Sequence, residues 1–336
     1  MGNGLQPDRF SRLTLAEHPG FFSHPVRNRG LRPFLGSVFD SLPFCIFLFL
    51  LTILATLVVG VHMADNYAAH VPVFDLNISW AFFSNLSRHP ARLWAGAPYA
   101  ATVLGILLAH ELGHYFTCRY YRIDSTYPFF IPAPTLIGTL GAFIRIKSPL
   151  VTRQELFDVG ISGPIAGFVV AIPALIVAAR DAGSRFAPVP PGSILMGHPL
   201  AMSLLARLFH PGTPHAGIGI SYLALTPVGC GVWVGLFATA LNLLPMGQLD
   251  GGHILYAVFG PVHRYVSIGF FVLLIPLGIY CWPGWFLWAV LMLIIGLRHP
   301  APLIDTEPLD RRRKLLALVA LAMFVLCFMF SPLIVA

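Results

Sequence analysis

From Leu42 to Met63 the chain runs for 22 residues without one Asp, Glu, Lys or Arg. A helix of that length spans the roughly 30 Å hydrocarbon core of a bilayer. It also has no charged face to turn toward water. Further apolar stretches fall near Pro98–Tyr121, Glu155–Ala179, Pro227–Pro245, Tyr265–Cys281, Trp285–Leu297 and Lys314–Ala336. The fifth and sixth are short and meet at Pro283-Gly284, which reads as the turn of a hairpin. The expected fold is an all-α polytopic membrane protein with about seven transmembrane helices.

Charged residues make up 10% of the 336 and hydrophobic residues 57%. A soluble domain carries about 25% charged residues, so there is too little polar cover here for one. The formal charge of +7 raises the question of a nucleic-acid partner. The basic residues flank apolar segments and form no single patch or stripe, so none is expected. They read as topology signals instead. With the N-terminus in the cytoplasm and each span crossing once, 16 of the 21 Lys and Arg fall on the cytoplasmic side. Only Arg88, Arg92, Arg180, Arg185 and Arg207 lie opposite. The expected location is a bacterial cytoplasmic membrane, with the lipid bilayer as surroundings.

Residues 1–41 are polar and rich in Pro, Gly and Arg. They read as a cytoplasmic lead without the apolar core of a cleaved signal peptide. Two longer connections, about Ala64–Ala97 and Arg180–Thr226, read as outer loops, and Pro199–His210 within the second has helical periodicity. His198, His210 and His215 in that loop read as ordinary surface residues. The five cysteines are scattered and form no CxxC pair, so thiolate metal sites and redox motifs are excluded.

The second span carries His110-Glu111-Leu112-Gly113-His114. Residues four apart on a helix stack on one face, so both imidazoles aim at one point. Glu111 stands about 100° around, able to reach a water beside a metal without being a ligand. The motif lies about 18 Å into an apolar helix, where ionisable groups are costly and usually functional. Catalytic zinc takes three protein ligands and keeps one position open, so a third must come from elsewhere. The end of the fourth span supplies a candidate in Asn242-Leu243-Leu244-Pro245-Met246-Gly247-Gln248-Leu249-Asp250-Gly251-Gly252-His253. Pro245 stops the helix and the glycines allow a tight return, so Asp250 can complete a His₂Asp set on the same side as His114.

Together, HELGH and NLLPMGQLDGG resemble the site-2 protease family of intramembrane zinc metalloproteases, in the form without a PDZ domain. The likeness extends through Gly138–Gly141, Ile144–Pro149 and Gly163-Pro164-Ile165-Ala166-Gly167. It divides the chain into a lead at 1–41, a metalloprotease core at 42–260 and C-terminal helices at 261–336. The resemblance implies one Zn²⁺ per chain on His110, His114 and Asp250, with Glu111 as general base. It implies that Asn242 stabilises the oxyanion, and that a single-span membrane protein is the substrate. It further implies a small membrane-associated β element near Thr139–Ile146, between the second and third spans. An exposed strand edge there would hold an unwound substrate by backbone pairing. Gly163 and Gly167 read as close helix packing, and His253 as a solvated loop histidine.

Two other readings use the same residues. A divalent-metal transporter would leave Glu111 without a purpose and lacks the expected inverted repeat. A catalytically inactive scaffold of the same fold would be expected to carry a broken motif, and both motifs here are intact.

Overall fold

A computed structural model describes residues 40–73, 79–181, 194–209, 225–297, 299–304 and 308–335. Nearly all of the lead at 1–41, together with His210 and His215, lies outside them. Helix α1 covers Leu42–Ala69 and has Pro43 in its first turn, where a missing N–H is no loss. It runs six residues past the expected end. The expected outer loop that follows contains a short helix, α2 (Trp80–Arg88), capped by the Ser79 hydroxyl. A 3₁₀ turn over Pro90–Gly96 leads into α3 (Ala97–Tyr120).

Two strands follow α3. β1 (Phe129–Pro132) and β2 (Thr139–Phe143) pair antiparallel, with Phe129 opposite Phe143 and Phe130 opposite Ala142. A small sheet therefore does lie between the second and third apolar helices. Helix α4 (Arg153–Asp181) returns antiparallel to α3. β3 (Ile194–Met196) and α5 (Leu200–Phe209) come next, the latter where helical periodicity was expected. His198 between them is buried, against the surface position expected for it.

Helix α6 (Pro227–Asn242) is capped by Thr226, whose hydroxyl accepts from Gly229 N–H. After a seven-residue turn, α7 (Asp250–Phe259) and α8 (His263–Tyr280) follow almost end to end. Trp282 and Pro283 turn the chain into α9 (Gly284–Ile295), giving the expected hairpin. Asp310 caps α10 (Arg311–Cys327) by accepting from Arg313 N–H at 2.8 Å. β4 (Leu333–Val335) then pairs with β3, so the seventh apolar stretch ends as a strand and not as helix.

Among the described residues four helical stretches are long and apolar enough to cross a bilayer: Leu42–Ala69, Pro90–Tyr120, Arg153–Arg180 and Asp250–Tyr280. The fourth begins 15 residues before the expected Tyr265, because α7 is helical from Asp250. α6 and α9 are apolar but have only 16 and 12 residues, about 24 and 18 Å of helix. The main core gathers Tyr99, Val103, Ile106, Leu107, Trp233 and Leu236 where α3 packs on α6. α3, α4 and α6 thus form the central set, and α7 follows α6 with Asp250 at its start.

Candidate metal centre

The HELGH helix delivers both imidazoles to one point, as its spacing requires. His110 Nε2 and His114 Nε2 are 3.1 Å apart. Asp250, first residue of α7, places Oδ2 3.1 Å from His110 Nε2 and 3.3 Å from His114 Nε2. These three form a group able to hold a metal ion. His110 and His114 are almost fully buried, and the Asp250 side chain keeps 15% of its surface.

Local sequence explains how Asp250 arrives there. α6 ends at Asn242, and the chain turns through Leu243–Leu249 with Met246 N–H donating to Leu244 O at 2.7 Å. Gly247 has φ of +57°, a left-handed conformation that residues with a Cβ seldom adopt. That reversal starts α7 at Asp250, where the positive end of the helix dipole favours a carboxylate.

The third helix of the site shapes it by yielding space. A Cβ added to Gly163 of α4 would stand 2.1 Å from His114 Nε2. One turn earlier, Val159 O accepts from His114 Nδ1 at 2.7 Å. This bond fixes the proton on Nδ1 and leaves the Nε2 lone pair facing His110 and Asp250.

The donor set fits zinc. Two imidazole nitrogens and one carboxylate oxygen are all electron-pair donors, and their mutual approach calls for a cation among them. Tetrahedral zinc, with bonds of about 2.0–2.1 Å, separates its ligand atoms by about 3.3–3.4 Å. The observed 3.1, 3.1 and 3.3 Å lie close to that.

Glu111 is buried beside the trio without belonging to it, with the backbone of Ile144, directly after β2, close to its carboxyl. Asn242 brings its amide nitrogen 3.1 Å from His110 Nε2. All five residues singled out from the sequence therefore meet in one place. The arrangement combines a metal-type donor set, a carboxylate free of it and an amide donor.

His253 departs from its expected solvated loop. It lies on α7, and its Nδ1 is 2.6 Å from His299 Nε2. His299 Nδ1 donates to Pro300 O at 2.6 Å, so His299 Nε2 accepts and His253 Nδ1 donates. The His299 ring stacks on Tyr256 at 4.8 Å, tying the segment after α9 to α7. No pattern in the sequence marks His299 or the Val159 carbonyl. Gly163 was visible in a motif, but not its contact with an imidazole.

The sequence model described as Peptidase family M50 matches residues 98–276, more than half of the chain. The chain is 32% identical over 245 residues to a "Probable zinc metalloprotease EGY1, chloroplastic" of Arabidopsis thaliana, covering 69% of this chain and 42% of that protein. It is 36% identical over 172 residues to the protein of the same name from Oryza sativa subsp. japonica, covering 48% and 28%. With "Probable zinc metalloprotease EGY2, chloroplastic" of Arabidopsis thaliana it shares 30% over 234 residues, covering 69% and 41%. The chain spans less than half the length of these relatives. These relatives are named as chloroplast proteins, which lends nothing to the bacterial membrane expected from the sequence.

Proposed function

The chain belongs to peptidase family M50, and from that membership and the geometry around His114 we propose that it is a zinc-dependent endopeptidase cutting a transmembrane segment of a single-span membrane protein. The observation that carries the reading is the separation of roles: His110, His114 and Asp250 converge within 3.3 Å, while buried Glu111 stands next to them and outside the set.

His110, His114 and Asp250 would hold one zinc ion per chain. Zinc bound there would supply a Lewis acid that polarises a peptide carbonyl and acidifies water. Glu111 takes the proton of the attacking water on its carboxylate and returns it to the leaving amide nitrogen. Asn242 donates its amide N–H to the substrate oxygen as charge develops on it. Val159 holds the His114 ring in place throughout.

A helical substrate hides its carbonyls, so it must be held extended. Among the described residues β2 has a paired neighbour on one side only, β1. Its exposed Leu140 and Phe143 lead up to Ile144, whose backbone lies close to the Glu111 carboxyl. A substrate strand added to that edge is delivered beside the general base. The same proposal includes seven apolar helices crossing the bilayer, the N-terminus in the cytoplasm and the site toward the Lys- and Arg-rich side.

The test is purified protein with a single-span substrate, comparing wild type, Glu111→Gln and chelator treatment. Glu111→Gln is expected to retain one zinc per chain and lose cleavage by at least about 10²-fold. Cleavage at the wild-type rate by that variant, or zinc flux into liposomes without cleavage, overturns the proposal.

A further inference from the structure

The carboxylate that completes the donor set sits on a helix start with little of its own to hold it. Asp250 is the first residue of α7, and Gly251 and Gly252, which form helix poorly, come directly after it. Leu249 before it offers no side-chain cap, whereas Ser79, Thr226 and Asp310 cap α2, α6 and α10. Packing against α4 adds no interlock. A Cβ on Gly160 would stand 2.8 Å from His253 Cβ and 3.3 Å from Asp250 O, so α4 presents bare backbone there.

His253, one turn beyond Asp250 on the same face, makes a directional contact. Its Nδ1 donates to His299 Nε2 at 2.6 Å. Tyr256, three residues further along α7, stacks on the same His299 ring with the planes 27° apart. His263 of α8 stands edge-on to that ring, 5.6 Å away between centroids.

His299 is anchored along the chain on both sides. Its Nδ1 donates to Pro300 O at 2.6 Å, which leaves Nε2 as an acceptor. Before it, Gly296 O lies 2.8 Å from the place a Cβ on Gly247 would take, in the turn that leads to Asp250. After it, Ile304 N–H donates to Val151 O at 2.8 Å, and Ile304 bridges to Thr152 just ahead of α4. The chain beyond α9 is therefore fastened at the Gly247 turn and at the entrance to α4, with His299 between.

We propose that His299 is a positioning residue of the metal centre: its Nε2, by accepting from His253, fixes the first turn of α7 and so holds Asp250 against His110 and His114. The proposal rests on the reading of those three residues as zinc ligands. It adds that the place of the third ligand is set by a residue beyond the 98–276 stretch matched to the family.

The two contacts of the His299 ring separate by substitution. His299→Gln keeps an acceptor and loses the stack on Tyr256; His299→Phe keeps a ring for the stack and loses the acceptor. Zinc affinity is read on the purified full chain at neutral pH, without substrate, by competition with a chelating dye. It should fall about tenfold or more in His299→Phe and stay within about threefold of wild type in His299→Gln. His253→Phe, which removes the donor, should lose as much as His299→Phe, and the double variant no more than either. Weaker binding by the Gln variant than by the Phe variant marks a packing role and overturns the proposal, as do additive losses in the double variant. Asp250→Ala is the reference. Unchanged affinity there overturns the zinc reading and this proposal together, whereas a loss there with none in His299→Phe overturns this proposal alone.

Discussion

The imidazole of His114 occupies the volume that a side chain at position 163 would need: a Cβ on Gly163 would come within 2.1 Å of Nε2. Gly163→Ala therefore displaces the ring or pushes α4 away from α3. Either movement strains the Val159 bond that sets the tautomer. Zinc affinity is expected to fall about 10–100-fold, the range seen when the partners that orient metal ligands are lost. Competition with a fluorescent chelator measures this directly. Unchanged affinity would mean that α4 yields without cost.

Asp250→Ala removes the one carboxylate of the donor set while leaving α7 a good helix former at its first position. The purified variant should carry well below one zinc per chain by elemental analysis and show no cleavage. Asp250→Asn keeps the shape but loses the charge, and should fall between the two.

Just after β2, Ile144→Pro removes a backbone N–H close to Glu111 and blocks pairing at the end of the open strand edge. Cleavage of a membrane substrate should be lost while zinc content stays at one per chain. Retained cleavage would remove the case for strand addition.

Arg313 and Asp158 join α10 to α4 through two hydrogen bonds, with about a fifth of each side chain exposed. Breaking a fully buried pair costs about 3–5 kcal/mol, and the residual exposure here lowers that to about 1–3 kcal/mol. Arg313→Met should lower the thermal midpoint accordingly, and Asp158→Leu combined with it should recover part of the loss. Additive losses in the double variant would argue against a direct pair.

His299 lies outside the spanning helices, and burial pushes its imidazole below the usual histidine pKa. Its neutral form is the one that accepts from His253. A folded-state pKa held down means that unfolded chain binds the proton more readily. This stabilisation is therefore present above about pH 6.5 and is lost as pH falls toward the folded value. His299→Gln should flatten the thermal midpoint between pH 7.5 and 5 relative to wild type.

What the sequence made legible follows from chemistry of short range. HELGH dictates its own geometry, since four residues make one turn. Asp250 was reachable from Pro245 and the glycines that turn the chain. The fourth helix was placed three residues too long because Pro245 looked like its stop, whereas α6 ends at Asn242 and the turn begins there. β1 was hidden by Pro128 and Pro132, which speak against strand. The Val159 carbonyl could not be foreseen, as backbone groups carry no side-chain signature. His299 meets His253 across 46 residues, a distance over which no spacing rule operates.

α6 holds one further lesson. At about 24 Å it stops short of the roughly 30 Å that lipid tails occupy. Backbone left inside a bilayer must be satisfied by solvent or by protein. Leu244 and Met246 of the Leu243–Leu249 bend are buried in one cluster with Trp285, Ala289 and Met292, so the short helix end is roofed by the hairpin that follows it.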